Sequence, residues 1–404
     1  MRILVVTQHF WPEDFRINEL AKGFIEKGHN VTVLTGYPNY PEGKIFPEYK
    51  KNRKAYNFYN SIDIKRIPIF PRGRNKLSLA LNYLSFVVSG IIFGPIILRK
   101  ESFDLIFVFE PSPITVCIPA ILLKYLKKAK LSLWVLDLWP QSLYAVGYIK
   151  KNSFIIKIVR YLVKYIYSKC DLILGTSNSF VKEIKKDCDD DNKIKYFPNW
   201  YESIYDINSI SPAKEITTKP GEFNLMFAGN LGDAQDLPTI ARGMKILKES
   251  KKIKLYIIGD GKRYRWLKQF IIDNDLGENI FLLGRYSNQR MPEFFAHADA
   301  MIVSLKPHEI YDMTIPGKLQ SYLISKKPII GSIGGESAKI IESYNCGVVS
   351  NSGDSEGFAK NVLRLYKMDI QQRDTIAKNG YQYARSNFNK ESLFNSLQSW
   401  LMEI

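Results

Sequence analysis

Short apolar runs alternating with helix-period segments constrain this chain more than any other feature. Arg2–Thr7 (RILVVT) is a continuous apolar run of strand length, and Phe15–Lys27 carries apolar residues at helical spacing. Gly28-His29 closes that helix, and the next strand is expected at Val31–Thr35. Further strands are predicted at Asp104–Phe109, Leu131–Leu136, Asp171–Leu174 and Ile194–Phe197, with helical stretches between them. Strands alternating with crossover helices lie parallel and are covered on both faces, which predicts an α/β, doubly wound parallel sheet.

The rhythm fades across residues 199–222, where Pro212, Pro220 and Gly221 accompany several Ser and Thr, as expected of a linker. It restarts with strands expected at Phe223–Ala228, Ile253–Ile258, Ile280–Leu283, Ala300–Ser304 and Pro328–Gly331. From Asp369 the pattern is helical, with Gly380 as a possible break. The reading is of two Rossmann-like domains, residues 1–200 and 201–384, with a closing helix at 385–404. Ligands of such sheets bind at the carboxyl ends of the strands, and the cleft between two facing domains is the expected site.

Composition matters at one point, the placement of charge. The 404 residues are 46% hydrophobic and 24% charged, which excludes disorder, collagen-like repeats and a small disulfide scaffold. The formal net charge is +17, and residues 1–200 hold 31 Lys and Arg against 17 acids, whereas the remainder holds 26 against 23. Between Lys50 and Lys76 stand nine basic residues (Lys50, Lys51, Arg53, Lys54, Lys65, Arg66, Arg72, Arg74 and Lys76) and one acid, Asp63. Residues 77–98 (LSLALNYLSFVVSGIIFGPIIL) then contain no charge. Twenty-two residues are nominally long enough to span a bilayer, which takes about 20. Asn82, Ser85 and Ser89, the helix-breaking Gly94-Pro95 and basic flanks on both sides point instead to an interfacial helix, the cations gripping anionic headgroups. A buried core helix is the second reading and a true span the third.

The N-terminal MRILVVTQHF has no cleavage site and reads as a first strand rather than a signal peptide. The scattered Cys117, Cys170, Cys188 and Cys346 imply a reducing, cytoplasmic setting. His9, His29, His297 and His308 show no metal-ligand spacing, so no metal is expected.

The first strand is followed by Gln8-His9-Phe10-Trp11-Pro12-Glu13-Asp14 and not by GxGxxG, which counts against a nicotinamide dinucleotide site. Trp11 and Pro12 fit ligand contact and simple loop packing equally. In the second half three strands end in glycine turns: Gly229-Asn230-Leu231-Gly232, Gly259-Asp260-Gly261 and Gly284-Arg285-Tyr286. Glycine there exposes backbone N–H groups to a phosphate, and a helix N-terminus adds partial positive charge. The segment Thr314-Ile315-Pro316-Gly317-Lys318-Leu319-Gln320 adds a proline suited to a first helical turn and a lysine one turn in.

The order and spacing of these motifs over the whole chain resemble the retaining glycosyltransferases of the GT-B architecture, family 4. Within the family the chain is similar to bacterial surface-polysaccharide (O-antigen and capsule) transferases of the N-acetylfucosamine-transferase type. The resemblance rests on the FWPE loop, Gly28-His29 with Val31-Thr32-Val33, the glycine turns and the Thr314–Gln320 segment, with Pro38–Gly43 and Asp137–Pro140 similar to acceptor-side motifs. It implies a UDP-sugar substrate held by the C-terminal domain, a lipid-diphosphate-linked saccharide acceptor on the N-terminal domain, and no cofactor. Gly229, Asn230, Gln235 and Gly259 would lie by the diphosphate, with the amides of Thr314, Ile315, Pro316 and Gly317 and the ammonium of Lys318 around it. Arg285 and Tyr286 would pack the nucleobase. The closing helix would cross back to the N-terminal domain, and the protein would sit peripherally on the inner face of the plasma membrane through residues 50–100.

The chain departs from the family at several positions. The two family glutamates eight residues apart fall at Met313 and Ser321, leaving Gln320 or backbone for the ribose. Gln235 interrupts the cation pair after the first glycine turn, and the family histidine aligns with Leu136, leaving Asp137 nearby. Lys318 and helix amides would stabilise charge on the leaving diphosphate without a metal, and Asp137 or Glu13 would orient or deprotonate the acceptor. Asp137 is equally suited to capping a helix ahead of Trp139-Pro140. Two other readings compete: a UDP-sugar 2-epimerase, which needs more acids and histidines around the sugar, and a non-enzymatic polyanion-binding protein. Against nucleic acid stands the absence of any recognised binding motif.

Overall fold

A computed structural model of the chain describes all residues except Arg74, 146–152 and 207–209. It forms two compact units, one of Met1–Phe197 with Phe394–Ile404 and one of Pro198–Leu393. In the first, an eight-stranded sheet runs in the order β3-β4-β2-β1-β5-β6-β7-β8. Its strands are β1 (Arg2–Val6), β2 (Asn30–Gly36), β3 (Phe58–Tyr59), β4 (Ile62–Ile67), β5 (Leu105–Glu110), β6 (Lys130–Val135), β7 (Leu172–Gly175) and β8 (Ile194–Tyr196). Every pairing is parallel except β3 with β4. Strand order reverses at β1, between β2 and β5, so the loops leaving β1, β5 and β6 share one crevice.

The second unit has a six-stranded parallel sheet in the order β11-β10-β9-β12-β13-β14. These are β9 (Phe223–Ala228), β10 (Ile253–Ile258), β11 (Ile280–Gly284), β12 (Ala300–Ser304), β13 (Ile329–Ser332) and β14 (Gly347–Ser350). Here the switch falls between β9 and β12, beside the Gly229 turn. In both sheets the central strands are buried along their whole length, as their unbroken apolar runs require.

Several expectations need correction. β3, β4 and β14 were not anticipated. β4, IDIKRI, buries Ile62, Ile64 and Ile67 while setting charges between them, and those charges disguised the strand as a basic surface stretch. The supposed linker is packed: Tyr201, Tyr205, Ala213 and Ile216 are buried in the core of the second unit, and Tyr205 stacks on Phe295 at 5.5 Å. Gly380 does not interrupt the helix Ile370–Asn387. It lies inside it, where an added Cβ would meet Leu323 at 2.8 Å, so the glycine permits close helix packing. The expected boundary at 385 accordingly falls within a continuous helix.

The uncharged segment forms one helix, Lys76–Ile97, opened by a capping box between Asn75 and Ser78. The break expected at Gly94-Pro95 is absent. Pro95 lies in the last turn, where its missing N–H removes a single bond near the helix end. The polar and small residues Asn82, Ser89, Gly90 and Gly94, with Phe86, face the domain. Gln8 Nε2 donates to Asn82 Oδ1 at 2.5 Å, and Asn82 Nδ2 donates to the Phe70 carbonyl at 2.5 Å. A Cβ on Gly90 would come within 2.7 Å of Pro119. Leu77, Leu84, Val88, Ile92 and Ile96 point to solvent, exposed by 46% or more. The amphipathic order is inverted, with the small polar stripe inside and the aliphatic ridge outside.

Candidate functional site

The three glycine turns of the second unit are laced together. Gly229 N–H donates to the Ile258 carbonyl at 2.8 Å, Leu231 N–H to Asp260 O at 2.9 Å and Gly259 N–H to Gly284 O at 2.7 Å. Gly259, at φ +143°, has the Gly229 carbonyl 1.9 Å from where a Cβ would sit, and a Cβ on Gly229 would meet Lys318 Cε at 2.8 Å. These glycines are therefore needed for backbone approach and to admit the lysine. Asp233, in the turn leaving β9, accepts from Lys262 Nζ at 2.6 Å and Arg263 Nε at 2.5 Å, which draws its carboxyl down to about 2. Beyond it a cavity of about 640 Å³ is lined by Asp260, Gly261, Lys262, Tyr264, Arg265, Gly284 and Arg285.

Lys318 stands at the start of the helix Gly317–Ile324, where the Gly317 and Lys318 N–H groups have no acceptor within the helix. Its ammonium lies 3.6 Å from the centroid of the Phe227 ring and donates to Gln235 Oε1 at 2.6 Å. No carboxylate among the described residues pairs with it. Burial without a counter-charge pushes its pKa down to about 7. Gln235, expected as a gap in a cation pair, is thus the residue that aims the lysine. Tyr322, one turn further, fixes the helix to the end of β9 by bonding both N–H and C=O of Ala228 at 2.9 Å.

Other donor-side expectations are corrected. The Thr314 amide is not available for a phosphate, since it donates to Tyr311 O at 3.1 Å, and the hydroxyl donates to Ile310 O at 2.7 Å. Ile315 is buried in the core, and Pro316 serves as N-cap. Gln320 is 1% exposed with Nε2 on the Asn199 carbonyl at 2.7 Å, so it does not present itself to a ribose. Ser321, half-buried on the same turn, bonds the Gly317 carbonyl at 3.2 Å. The Tyr286 ring packs on Phe294 at 4.6 Å under the Arg290 guanidinium, whereas Arg285 is exposed at the cavity. Asn230 is exposed at its turn. A further glycine pair was missed: at Gly334 and Gly335 a Cβ would strike the Asp312 carboxyl at 2.4 Å and the Asp312 backbone oxygen at 1.8 Å. A Gly-Gly doublet directly after an apolar run was the available signal.

In the N-terminal unit the two proposed acids have opposite surroundings. Glu13 is fully buried, and its Oε1 accepts from His9 Nδ1 at 3.1 Å, Asn39 N–H at 2.8 Å and Tyr40 N–H at 2.7 Å. It ties the loop leaving β1 to the loop leaving β2 and has no face for a substrate. Glu13 is corrected from catalytic to structural. Asp137, just past β6, lines a cavity of about 450 Å³ with Arg72, Lys76, Leu79, Ala80, Tyr83, Ser112, Trp139, Ser142 and Leu143. Burial raises its pKa, while the Ser142, Ser112 and Trp139 side chains around it pull the other way. Behind it Glu110, at the end of β5, is wholly buried, its Oε2 3.4 Å from the Asp137 N–H. Burial, with the Asp137 charge beside it, raises the Glu110 carboxyl well above its usual range. Neither Glu110 nor the cavity's basic wall was foreseen. Among the described residues no three His, Cys, Asp or Glu side chains gather as a metal site.

Two Rossmann-like units, one with laced glycine turns around an uncompensated lysine, make the architecture that of a GT-B glycosyltransferase. Residues 16–202 match the family described as Glycosyltransferase Family 4, and residues 222–368 match Glycosyl transferases group 1. The two matches together take in most of both units, and the chain is a glycosyltransferase. The "Probable glycosyltransferase WbjE" of Pseudomonas aeruginosa is 21% identical over 324 residues, spanning 79% of this chain and 80% of its own. The "Putative colanic acid biosynthesis glycosyl transferase WcaI" of Escherichia coli K12 is 23% identical over 359 residues, spanning 85% of this chain and 84% of its own. Among solved structures, Anabaena Alr3699/HepE in complex with UDP superimposes with a TM-score of 0.69 at 14% identity over all of both chains.

Proposed function

We propose that the protein is a retaining transferase that moves a sugar from a UDP-sugar to a lipid-diphosphate-linked saccharide in surface polysaccharide assembly, O-antigen or capsule. The observation that carries this reading is Lys318, a buried ammonium with one neutral acceptor beside two free helix amides. A diphosphate leaving group supplies the missing counter-charge, and the charge it gains as the sugar–phosphate bond breaks is what such a preorganised site stabilises. The UDP in the Anabaena relative and the colanic acid name of WcaI support the donor and the pathway type. In same-face substitution the acceptor oxygen bonds to the anomeric carbon as the bond to phosphate breaks, and the acceptor proton passes to the leaving phosphate. Asp137 orients the acceptor hydroxyl. Arg285 and the cavity beside β10 and β11 take the uracil, and Ser321 is better placed than Gln320 to meet the ribose.

The aliphatic ridge of the Lys76–Ile97 helix supports peripheral attachment to the inner face of the plasma membrane. The cationic grip is narrower than its composition. Arg66 donates into the protein and Lys65 pairs with Asp63 at 2.6 Å, whereas Lys50, Lys51, Arg53 and Lys54 are exposed. Arg74 lies outside the described residues. The helix Phe154–Lys169 adds exposed Phe154, Ile155, Ile158 and Tyr161 among Lys157, Arg160 and Lys164.

A thermal-shift panel of nucleoside diphosphates and UDP-sugars tests the donor. UDP-N-acetylfucosamine-type donors come first, followed by transfer onto prenyl-diphosphate-linked sugars. Stabilisation by UDP and an α-linked product from an α-linked donor are expected. Absence of stabilisation by every nucleotide sinks the reading. Conversion of a UDP-sugar in the absence of acceptor would favour the epimerase.

A further inference from the structure

We propose that the Asp137 cavity is the seat of the acceptor's diphosphate and first sugar, with Arg72 and Lys76 holding the diphosphate and Trp139 flanking the sugar. This rests on the transferase reading above and names its acceptor site. Arg72 is held ready for an anion. Its backbone N–H donates to Asn39 Oδ1 at 2.9 Å, its guanidinium stacks over Tyr40 at 5.2 Å, and no carboxylate pairs with it among the described residues. Its neighbours in the basic stretch are committed: Lys65 to Asp63 and Glu101, and Arg66 to backbone carbonyls. A fixed, uncompensated guanidinium beside a lysine matches the spread charge of a diphosphate.

The second observation is the origin of the cavity wall. Lys76, Leu79 and Tyr83 come from the first two turns of the helix whose other face exposes Leu77, Leu81, Leu84 and Val88. An anion grip and an open aliphatic ridge therefore share one helix at a separation of one or two turns, each about 5.4 Å. A nucleotide or a free sugar phosphate would use the grip and ignore the ridge. A ligand whose diphosphate is joined directly to an apolar chain uses both. The cavity, about 450 Å³, lies within the usual range for small-ligand sites.

The test measures binding of a farnesyl-diphosphate-linked N-acetylglucosamine to the full chain, wild type against Arg72→Gln and Lys76→Gln. Inorganic diphosphate and phosphatidylglycerol vesicles serve as separate probes. Each variant is expected to weaken the farnesyl probe by about tenfold while leaving the UDP-induced thermal shift unchanged. Inorganic diphosphate is expected to compete only weakly. Unchanged probe binding in both variants, with the UDP shift intact, overturns the site and leaves the transferase reading standing. Equal losses toward vesicles and toward the probe also overturn it, since the two cations would then be a general membrane grip. If a variant misfolds, a photoreactive farnesyl probe on the wild-type protein decides: labelling within residues 76–99 supports the proposal, and labelling elsewhere rejects it. A wild-type protein with no UDP shift and no transfer to any acceptor takes both readings down together.

Discussion

Arg66 in the N-terminal unit and Lys318 in the C-terminal unit are both cations taken out of water, and they are held in opposite ways. Arg66 donates to three carbonyls, of Trp11 at 2.5 Å, Gly36 at 3.0 Å and Tyr56 at 3.4 Å. Burial lowers its pKa to about 10, which leaves it charged at neutral pH. Lys318 has a single neutral acceptor and an aromatic face, and its pKa falls to about 7. A buried cation whose three nitrogens each donate to a backbone carbonyl is part of the fold. One with donors to spare marks a place where an anion completes the structure. The acids divide likewise, Glu13 saturated by three donors and Asp137 opening onto a cavity.

Lys318→Ala is expected to lower turnover by roughly 10²–10³-fold, as removal of one preorganised donor does elsewhere. Near-normal turnover would reduce Lys318 to packing. Asp137→Asn should cost about 10²-fold in kcat with the UDP thermal shift unchanged, the outcome expected of a group that orients the acceptor. Equal losses in donor binding would contradict that division. Gly259→Ala sharpens the comparison from the backbone side. With a carbonyl 1.9 Å from the new Cβ, it should lower stability on the order of 4 kcal/mol and take UDP binding with it. Gly284→Ala, at φ +80° in open space, should cost only about 1–2 kcal/mol in urea unfolding. Arg66→Met is expected to lower stability by about 2 kcal/mol while the surviving folded protein still responds fully to UDP. A lost UDP response would make Arg66 more than a brace.

What the sequence made legible follows from period and chemistry. The buried strands of both sheets announce themselves because they are continuous apolar runs, and β9, β10 and β12 fall at the expected residues. β4 did not, because a strand with one face against helices and charges between its isoleucines has no such run. The glycine turns were legible because few residue types let backbone approach backbone so closely. Arg72, Glu110 and the bond from Lys318 to Gln235 were not, because they depend on partners 33, 27 and 83 residues away in sequence. The charge surplus of residues 1–200 was legible as a total but not as a map. Much of it is consumed inside the unit, and which cations remain available is a property of the folded packing.

The smallest expected effect is the most specific to the contrast between the two cations. An unfolded lysine titrates at 10.5, so between about pH 7 and that value the unfolded chain holds a proton at Lys318 that the folded chain has lost. Stability should therefore rise with pH across this window from this group, and be independent of pH in this group below about pH 7, where both states are protonated and the burial penalty on the ammonium is full. A bound diphosphate reverses the balance by favouring the ammonium. At pH 8–9 UDP binding should take up close to one proton, and its affinity should fall by about tenfold per pH unit above 7. Calorimetry in buffers of different ionisation enthalpy measures that uptake directly. Arg66, charged on both sides of the equilibrium, contributes nothing to it, so Arg66→Met should leave the proton count unchanged while Lys318→Met abolishes it. An uptake that survives Lys318→Met would assign the titrating group elsewhere and remove the reason for treating the two buried cations as different in kind.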